Sequence, residues 1–270
     1  MLNGIDCSNH QGVIDWAAVA GSGVQFAIIK ASESYDYEDP YLAANWSGAK
    51  ANGLKVGAYH FARPESGTAD ANATQFLVAV ADLDWAPGDL AVLDLESGRG
   101  DQSAWVQRWL DVVEDRLGVV PCIYSNVPQL GAARILGDVF NRYPLWLASY
   151  KTSTDVPAVC PPGWDDRYIL WQWSESGHVP GIAGNCDLDV LLSDDIADLT
   201  KWGKPEPAPE PAPEATMDTD AIRAALDVIW DRLTRIQASA SGTTTESIDS
   251  LAEEAKQLGV VAVKVAAGLA

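Results

Sequence analysis

Up to about residue 203, short apolar runs alternate with longer segments in which apolar residues recur with a helical period. The short runs are rich in branched and aromatic residues and have the length of strands. Eight such runs lie near residues 4, 28, 58, 93, 123, 147, 171 and 188: "NGID", "QFAIIKA", "KVGAYHF", "LAVLDLE", "PCIYS", "LWLAS", "YILWQWS" and "CDLDVLL". Several are apolar on both faces, as buried parallel strands are, so the pattern predicts a closed parallel barrel.

The connections between these runs change character along the chain. Four early connections are predicted to be helical, over 41–52, 69–81, 103–117 and 128–136. The late connection "SESGHVPGIAGN" (174–185) is rich in Gly and Pro, which disfavours a helix. We therefore expect an α/β fold, an irregular barrel of eight strands with about five helices, compact for the usual (β/α)8 size.

A Pro-Glu-Ala tract, "KPEPAPEPAPEAT", interrupts the chain over 204–216. Such a tract cannot build a core and predicts an extended spacer. It separates a barrel domain (1–203) from a tail (217–270) in which two apolar stripes follow heptad spacing. Between the stripes, "SASGTTTES" has the composition of a turn, so the tail is predicted to be a helical hairpin.

Composition and charge narrow the function. With 47% hydrophobic residues and 11 Trp the chain can bury a core, and a net charge of −20 argues against nucleic acid as a partner. No run approaches the roughly 18 to 20 apolar residues of a membrane span, and the beginning "MLNGIDCSNHQG" lacks the pattern of a signal peptide. We expect no membrane association and synthesis in the cytoplasm.

The cysteines show no metal-ligand spacing. Cys7, Cys122, Cys160 and Cys186 contain no CxxC pair, and the simplest interpretation is four isolated thiols. Cys7 and Cys186 are expected on neighbouring strands, so a disulfide between them stays open.

Two acids interrupt the apolar run "LAVLDLESG" (90–98). Residues two apart on a strand point the same way, so Asp94 and Glu96 share a face, with Cβ atoms about 6.5–7 Å apart. Side by side at the mouth of a barrel, each raises the cost of ionising the other. One is then expected to stay protonated near neutrality, the arrangement that a general acid and its ionised partner need.

Further acids lie at other strand ends: Asp6, Glu33, and the pair Asp187 and Asp189. Because the first and last strands of a closed barrel are neighbours, Asp6 and Asp187 should lie side by side. An acidic rim of this kind could bind Mg²⁺ or Ca²⁺, or hydrolyse a glycosidic bond. Aromatic residues at the same strand ends favour sugars, since flat rings stack on them; they are Tyr59, Phe61, Tyr124, Trp146, Tyr150, Trp171 and Trp173.

Taken together, these motifs resemble the glycoside hydrolase family 25 lysozymes, which are N-acetylmuramidases. The resemblance covers about 4–190 and rests on "DCSNHQG", "KASE", "GAYHF", "LDLE", "YS", "LWLASY", "WQW" and "DLD". Departures are Ser34, where the family often has Gly, and Asp189, where it often has Asn.

The resemblance implies a (β/α)5(β)3 barrel and cleavage of the β-1,4 bond between N-acetylmuramic acid and N-acetylglucosamine in peptidoglycan, with no cofactor and no metal. It implies that Glu96 is the general acid and that Asp94 meets the positive charge, as nucleophile or in support of the substrate's acetamido group. Asp6 and Asp187 would tune that pair. The implied substrate-binding residues are Lys30, Glu33, Tyr59, Phe61, Tyr124, Trp146, Tyr150 and Gln172. Spacing alone leaves retention or inversion open, and the resemblance favours retention.

The alternatives are a hydrolase of another N-acetylated glycan, such as chitin, and a catalytically silent glycan-binding module. For the tail we expect homo-oligomerisation, with wall binding as the alternative. A phage endolysin, made in the host cytoplasm and acting on the cell wall after release, fits the chain best, and a bacterial autolysin is the second possibility.

Overall fold

The computed structural model describes residues 1–155 and 157–203. The predicted linker (204–216) and helical module (217–270) lie outside the described residues, so both stay predictions. No helix in the described part is long and apolar enough to cross a bilayer.

The described residues form nine strands, eight of which make the barrel. The barrel strands are β1 (Leu2–Cys7), β2 (Phe26–Glu33), β4 (Lys55–Phe61), β5 (Leu90–Asp94), β6 (Cys122–Asn126), β7 (Leu145–Ala148), β8 (Tyr168–Gly177) and β9 (Cys186–Leu191). The two-residue strand β3 (Tyr37–Glu38) pairs with the end of β2 outside the barrel.

The strands follow one another in the order β1-β9-β8-β7-β6-β5-β4-β2, and a β1–β2 pairing closes the circle. The barrel strands other than β9 pair in parallel with one another. Strand β9 runs antiparallel to both of its neighbours, β1 and β8. The prediction of a fully parallel barrel is therefore wrong for this strand. The connection from β8 to β9 is too short for a helical crossover, and only an antiparallel partner can follow such a connection.

Helices occupy the early connections: α1 (Trp16–Gly21), α2 (Leu42–Ala51), α3 (Ala69–Ala79), α4 (Ser103–Leu117), α5 (Val127–Ala132) and α6 (Gly137–Phe140), with α7 (Ala197–Thr200) after the barrel. The helix predicted over 128–136 is shorter than expected: α5 ends at Ala132, Arg134 adopts a φ of 57° that a helix cannot continue through, and α6 begins only after the predicted range. Among the described residues that connect β7, β8 and β9, the 3₁₀ turn Asp165–Arg167 is the one helical segment.

The core has two layers, one inside the barrel and one between the strands and the helices. Alternate residues of each strand serve the two layers. At the lower end of the barrel the ring of Phe26 occupies the space beside Gly4, where a Cβ would lie 2.1 Å from the ring. Aromatic and aliphatic side chains thus fill the end of the barrel where the parallel strands begin. The polar groups lie at the opposite end, where these strands finish.

Candidate active site

Strand β5 carries the two acids of "LDLE" into the barrel mouth. Leu90 and Val92 fill the barrel interior, whereas Leu93 and Leu95 pack on the helices. The same alternation directs Asp94 inward at the end of the strand and Glu96 inward just beyond it. The shared face predicted from the sequence is confirmed.

A cavity of about 330 Å³ lies over these two acids, at the end of the barrel where the parallel strands finish. It is lined by Asp6, His10, Lys30, Tyr59, Phe61, Asp94, Glu96, Tyr124, Trp146, Tyr150, Gln172, Glu175 and Asp187. Of the twelve site residues predicted from the sequence, Glu33 is the one that does not line the cavity. The barrel therefore brings eleven of the predicted residues to one place.

Glu33 supports the cavity from the side. Its carboxylate accepts hydrogen bonds from Lys30 Nζ at 2.7 Å and from Arg63 Nε at 2.8 Å. Burial raises the pKa of Glu33, but these cationic donors outweigh that effect and hold the pKa below its ordinary value. Lys30 is thereby held over the ring of Phe61, 5.2 Å from its centroid. The next residue, Ser34, has a φ of 56°, a left-handed backbone that favours glycine.

Three acids meet where β1 and β9 pair. Asp6 lies opposite Asp187 in the register of the two strands, as predicted, and Asp189 lies deeper, 1% exposed, where it accepts the indole N–H of Trp146 at 2.9 Å. Burial raises the pKa of each of the three carboxyls, and their mutual repulsion raises the pKa of Asp6 and Asp189 further. The neighbouring Cys7 and Cys186 are free thiols.

A chain of hydrogen bonds crosses the cavity floor from β1 to β5. Gln172 Nε2 donates to Asp6 Oδ2 at 2.7 Å, and the hydroxyl of Tyr124 lies 2.8 Å from Gln172 Oε1 and 3.2 Å from Glu96 Oε1. Tyr124 and Gln172 are themselves buried. These two residues, predicted to bind substrate, therefore also connect two of the predicted catalytic acids.

Burial raises the pKa of both acids of "LDLE". The effect is larger for Asp94, whose Oδ1 has no hydrogen-bond partner, and the charge of Glu96 raises the pKa of Asp94 further, while Lys30 opposes it. Burial also raises the pKa of Glu96, which lies nearer the mouth. Two adjoining acids with raised pKa values keep a proton to higher pH than isolated carboxyls do, which suits general acid catalysis.

The aromatic side chains differ in what they offer a sugar. Tyr150 is 49% exposed at the mouth and presents its ring to solvent. Trp146 is only 2% exposed, and its ring packs against Tyr124 with centroids 4.4 Å apart. A ring covered in this way has little area on which a sugar can stack, so Trp146 forms the floor rather than a stacking platform. Trp171 lies in the outer core.

Two residues that line the cavity, His10 and Glu175, were not predicted. Glu175 follows Gln172 by three positions, which would place the two on opposite faces of a regular strand. The pairing of β8 with β9 shifts register between Gln172 and Gly177, and this irregularity turns Glu175 inward. His10 lies in a 3₁₀ turn directly after β1, within the motif "DCSNHQG".

A second polar cluster lies outside the barrel interior. Ser32 Oγ contacts His60 Nδ1 at 2.8 Å, and His60 Nε2 contacts Asn72 Oδ1 at 3.0 Å. The imidazole is 0% exposed and stacks on Trp109, and burial lowers its pKa to about 4. A substrate cannot reach this serine, so the cluster holds strands and helix together and is not a nucleophilic site.

Comparison with known proteins agrees with this geometry. The sequence model of the family described as Glycosyl hydrolases family 25 matches residues 5–182. The chain belongs to this family. Within family 25, the chain is 40% identical over 201 residues to the uncharacterized protein YegX of Escherichia coli O6:H1, covering 70% of this chain and 69% of that protein. It is 33% identical over 192 residues to an autolytic lysozyme of Clostridium acetobutylicum, covering 70% and 55%.

Solved structures of the family share the fold. The bacterial lysozyme from Streptomyces coelicolor superposes with a TM-score of 0.67 at 26% identity, covering 75% of this chain and 98% of that one. The CTP1L endolysin superposes with a TM-score of 0.63 at 28% identity, covering 87% and 80%. The chain is thus a glycoside hydrolase with an α/β barrel, as the motifs predicted.

Proposed function

We propose that this family 25 chain is a muramidase, which hydrolyses the β-1,4 bond between N-acetylmuramic acid and N-acetylglucosamine in bacterial peptidoglycan. The observation that carries the proposal is the placement of Asp94 and Glu96 together on the floor of one acidic cavity. Glycoside hydrolases typically use two carboxyl groups in different surroundings, one as the general acid and the other as nucleophile, base or charge stabiliser. The lysozymes among the relatives support peptidoglycan as the substrate.

In the proposed reaction Glu96 donates its proton to the glycosidic oxygen as the bond breaks. The positive charge that develops at the anomeric carbon is met by the ionised form of Asp94; burial and Glu96 disfavour that form, and the nearby cations Lys30 and Arg63 favour it. A rigid carboxylate in a buried site stabilises that charge strongly, because little water screens it. Asp6 and Asp187 add negative potential at the same end of the cavity. Tyr59, Phe61 and Tyr150 supply ring surface for the sugars.

The test is the structure of the product. Purified full-length protein is incubated with peptidoglycan, the new reducing ends are reduced with borohydride, and the fragments are analysed by mass. We expect reduced muramic acid at the new ends. Reduced glucosamine ends would instead identify a glucosaminidase, and faster release of reducing ends from chitin than from peptidoglycan would favour the alternative glycan substrate.

The matched variants are Glu96→Gln and Glu114→Gln. Both remove one carboxylate without changing shape, but Glu114 lies on α4, where it pairs with Arg142. Glu96→Gln is expected to abolish the loss of turbidity of a cell-wall suspension, with an unchanged circular dichroism spectrum, whereas Glu114→Gln keeps activity. Full activity in Glu96→Gln would remove Glu96 as the acid. Binding to peptidoglycan without any product would revive the silent module.

The biological context of the chain is inferred separately from its chemistry. We infer that the chain is a phage-type endolysin, made in the host cytoplasm and acting on the cell wall after release. The fold it shares with an endolysin supports this role. The heptad stripes of the tail support homo-oligomerisation rather than wall binding as the task of residues 217–270.

A further inference from the structure

One phenolic hydroxyl on the cavity floor lies between two oxygen atoms. Tyr124 places its hydroxyl 2.8 Å from Gln172 Oε1 and 3.2 Å from Glu96 Oε1. A phenol carries a single proton, whereas an amide oxygen carries none and a carboxyl oxygen carries one only when it is protonated. The proton of Tyr124 can therefore satisfy only one of the two contacts.

The orientation of Gln172 decides which contact receives that proton. Its amide nitrogen donates to Asp6 Oδ2 at 2.7 Å, so its oxygen faces Tyr124. Since the amide oxygen can only accept, the hydroxyl of Tyr124 must donate to it. The shorter of the two contacts is thereby assigned to the phenolic proton.

Tyr124 then has only a lone pair to offer Glu96. The 3.2 Å contact is a hydrogen bond only when Glu96 supplies the proton. An ionised Glu96 would face the lone pair of Tyr124, which is repulsive in a buried site. The polarity of the chain thus runs from Glu96 through Tyr124 and Gln172 to Asp6, with each donor used once.

We propose that Asp6, Gln172 and Tyr124 form a hydrogen-bond chain of fixed direction that keeps the catalytic proton on Glu96. This rests on the proposed function in one respect, the role of Glu96 as the acid. Tyr124 and Gln172 are positioning residues in this scheme, because they act on the catalytic proton through Glu96. Asp6 anchors the far end, because its Oδ2 accepts from the amide of Gln172.

Other groups also act on Glu96 and have to be held constant. Burial raises the pKa of Glu96, a hydrogen bond from Tyr124 lowers it only when the phenol donates to the carboxylate, Arg63 lowers it, and Glu175 raises it. The charged or titratable groups that face it are Asp94 on β5, Arg63 after β4, Tyr150 after β7, Glu175 on β8 and Asp187 on β9. Variants confined to Tyr124 and Gln172 leave all of these in place.

The first variant is Tyr124→Phe, which removes the hydroxyl and keeps the ring against Trp146. Protonated Glu96 loses its acceptor, so the alkaline limb of the pH profile of kcat/KM moves to lower pH. On that limb kcat/KM falls about two- to tenfold relative to the unaltered protein, which is the change expected from the loss of one hydrogen bond. Tyr143→Phe is the matched control, since Tyr143 bonds Gln107 outside the barrel and its loss leaves the limb in place.

The second variant, Gln172→Met, keeps the length of the side chain but removes both donor and acceptor. Tyr124 is then free to turn its proton toward Glu96, which stabilises the carboxylate. The limb moves to lower pH by at least as much as in Tyr124→Phe, and the double variant returns to the Tyr124→Phe profile. If Gln172 merely touched substrate, its KM would rise and the pH profile would stay in place.

A readout without substrate separates this proposal from the proposed function. The infrared carbonyl band of protonated Glu96 is identified by its loss in Glu96→Gln and is followed against pH in the full chain. We expect the band to disappear at lower pH in both chain variants than in the unaltered protein. A band that titrates unchanged, or at higher pH, would overturn the chain direction whatever the substrate is; loss of the Glu96 role in cell-wall assays would leave this measurement intact.

Discussion

Asp6 and Asp187 lie directly opposite each other on β1 and β9, although one stands near the end of its strand and the other at the beginning of its own. The antiparallel direction of β9 makes this meeting possible. Burial and mutual repulsion raise the pKa values of this group, which includes the deeper Asp189. The site therefore gathers carboxyls whose ionisation lowers the stability of the folded state.

Replacing Asp189 by Asn should stabilise the protein at neutral pH. The amide oxygen can still accept from Trp146, and a buried carboxyl with a raised pKa is removed. A carboxyl of raised folded pKa stabilises the fold only at low pH and loses that contribution as the pH rises through the folded pKa. We expect a gain of about 1–2 kcal/mol in the free energy of unfolding at pH 7, measured with urea, and less at pH 4.

Asp115→Asn on the exposed face of α4 is the control for this variant and should change stability little. Equal gains in the two variants would mean that lowering the net negative charge, rather than the buried acid, is responsible.

His60 should make stability fall in mildly acidic solution. Its folded pKa of about 4 lies below the ordinary value of 6.5, so the unfolded chain binds a proton in that interval and the folded chain does not. The free energy of unfolding should decrease by up to about 3 kcal/mol as the pH falls from 6.5 to 4. In His60→Gln the protein is less stable throughout, but urea unfolding at a series of pH values should show a flatter dependence.

Subtracting the two pH curves cancels the contribution of the carboxyls, which is common to both proteins. A difference that stays constant from pH 7 to pH 4 would show that His60 takes up its proton in the folded state.

The barrel floor should not tolerate a side chain at position 4. Gly4→Ala would place its Cβ against the ring of Phe26, and overpacking of this kind costs about 1–3 kcal/mol or more. Gly21→Ala, at the end of α1 with no atom within 4 Å, should be neutral or stabilising by up to about 1 kcal/mol. Thermal unfolding of the two variants gives the comparison. Partial recovery in Gly4→Ala with Phe26→Leu would locate the clash.

Removal of the tail should change the mass of the particle but not the chemistry of the barrel. We predict that light scattering gives an oligomer for the full chain and a monomer for a chain ending near Lys204. Equal monomer masses would eliminate homo-oligomerisation through residues 217–270. In that case, loss of binding to sedimented cell walls in the shorter chain would indicate the wall-binding alternative.

Much of the site could be predicted because strand periodicity is local. The alternation that places Asp94 and Glu96 on one face can be recognised from five consecutive residues. Tyr59 and Phe61 share a face for the same reason. The direction of β9 could not be read in this way, because a strand's own pattern is the same in both directions. Glu175 was missed for a related reason, since an irregularity in strand pairing depends on the partner strand.

The break between α5 and α6 could not be predicted from the sequence either. Nothing in the apolar spacing of 128–136 marks Arg134, whose left-handed backbone ends the helical path. The roles of Tyr124 and Gln172 depend on distances between strands that are far apart in sequence, so the sequence could mark them as site residues without separating contact with substrate from support of Glu96.

The closing of the barrel by β9 also orders events during synthesis. Contacts between Cys186 and the backbone of Asp6 join positions 180 residues apart, and Gln172 reaches Asp6 across 166. Such long-range contacts form late, because the whole intervening chain must first be gathered. A growing polypeptide therefore holds Asp94 and Glu96 long before it can assemble the acids around them, and the hydrolytic centre becomes complete only when the last strand has left the ribosome.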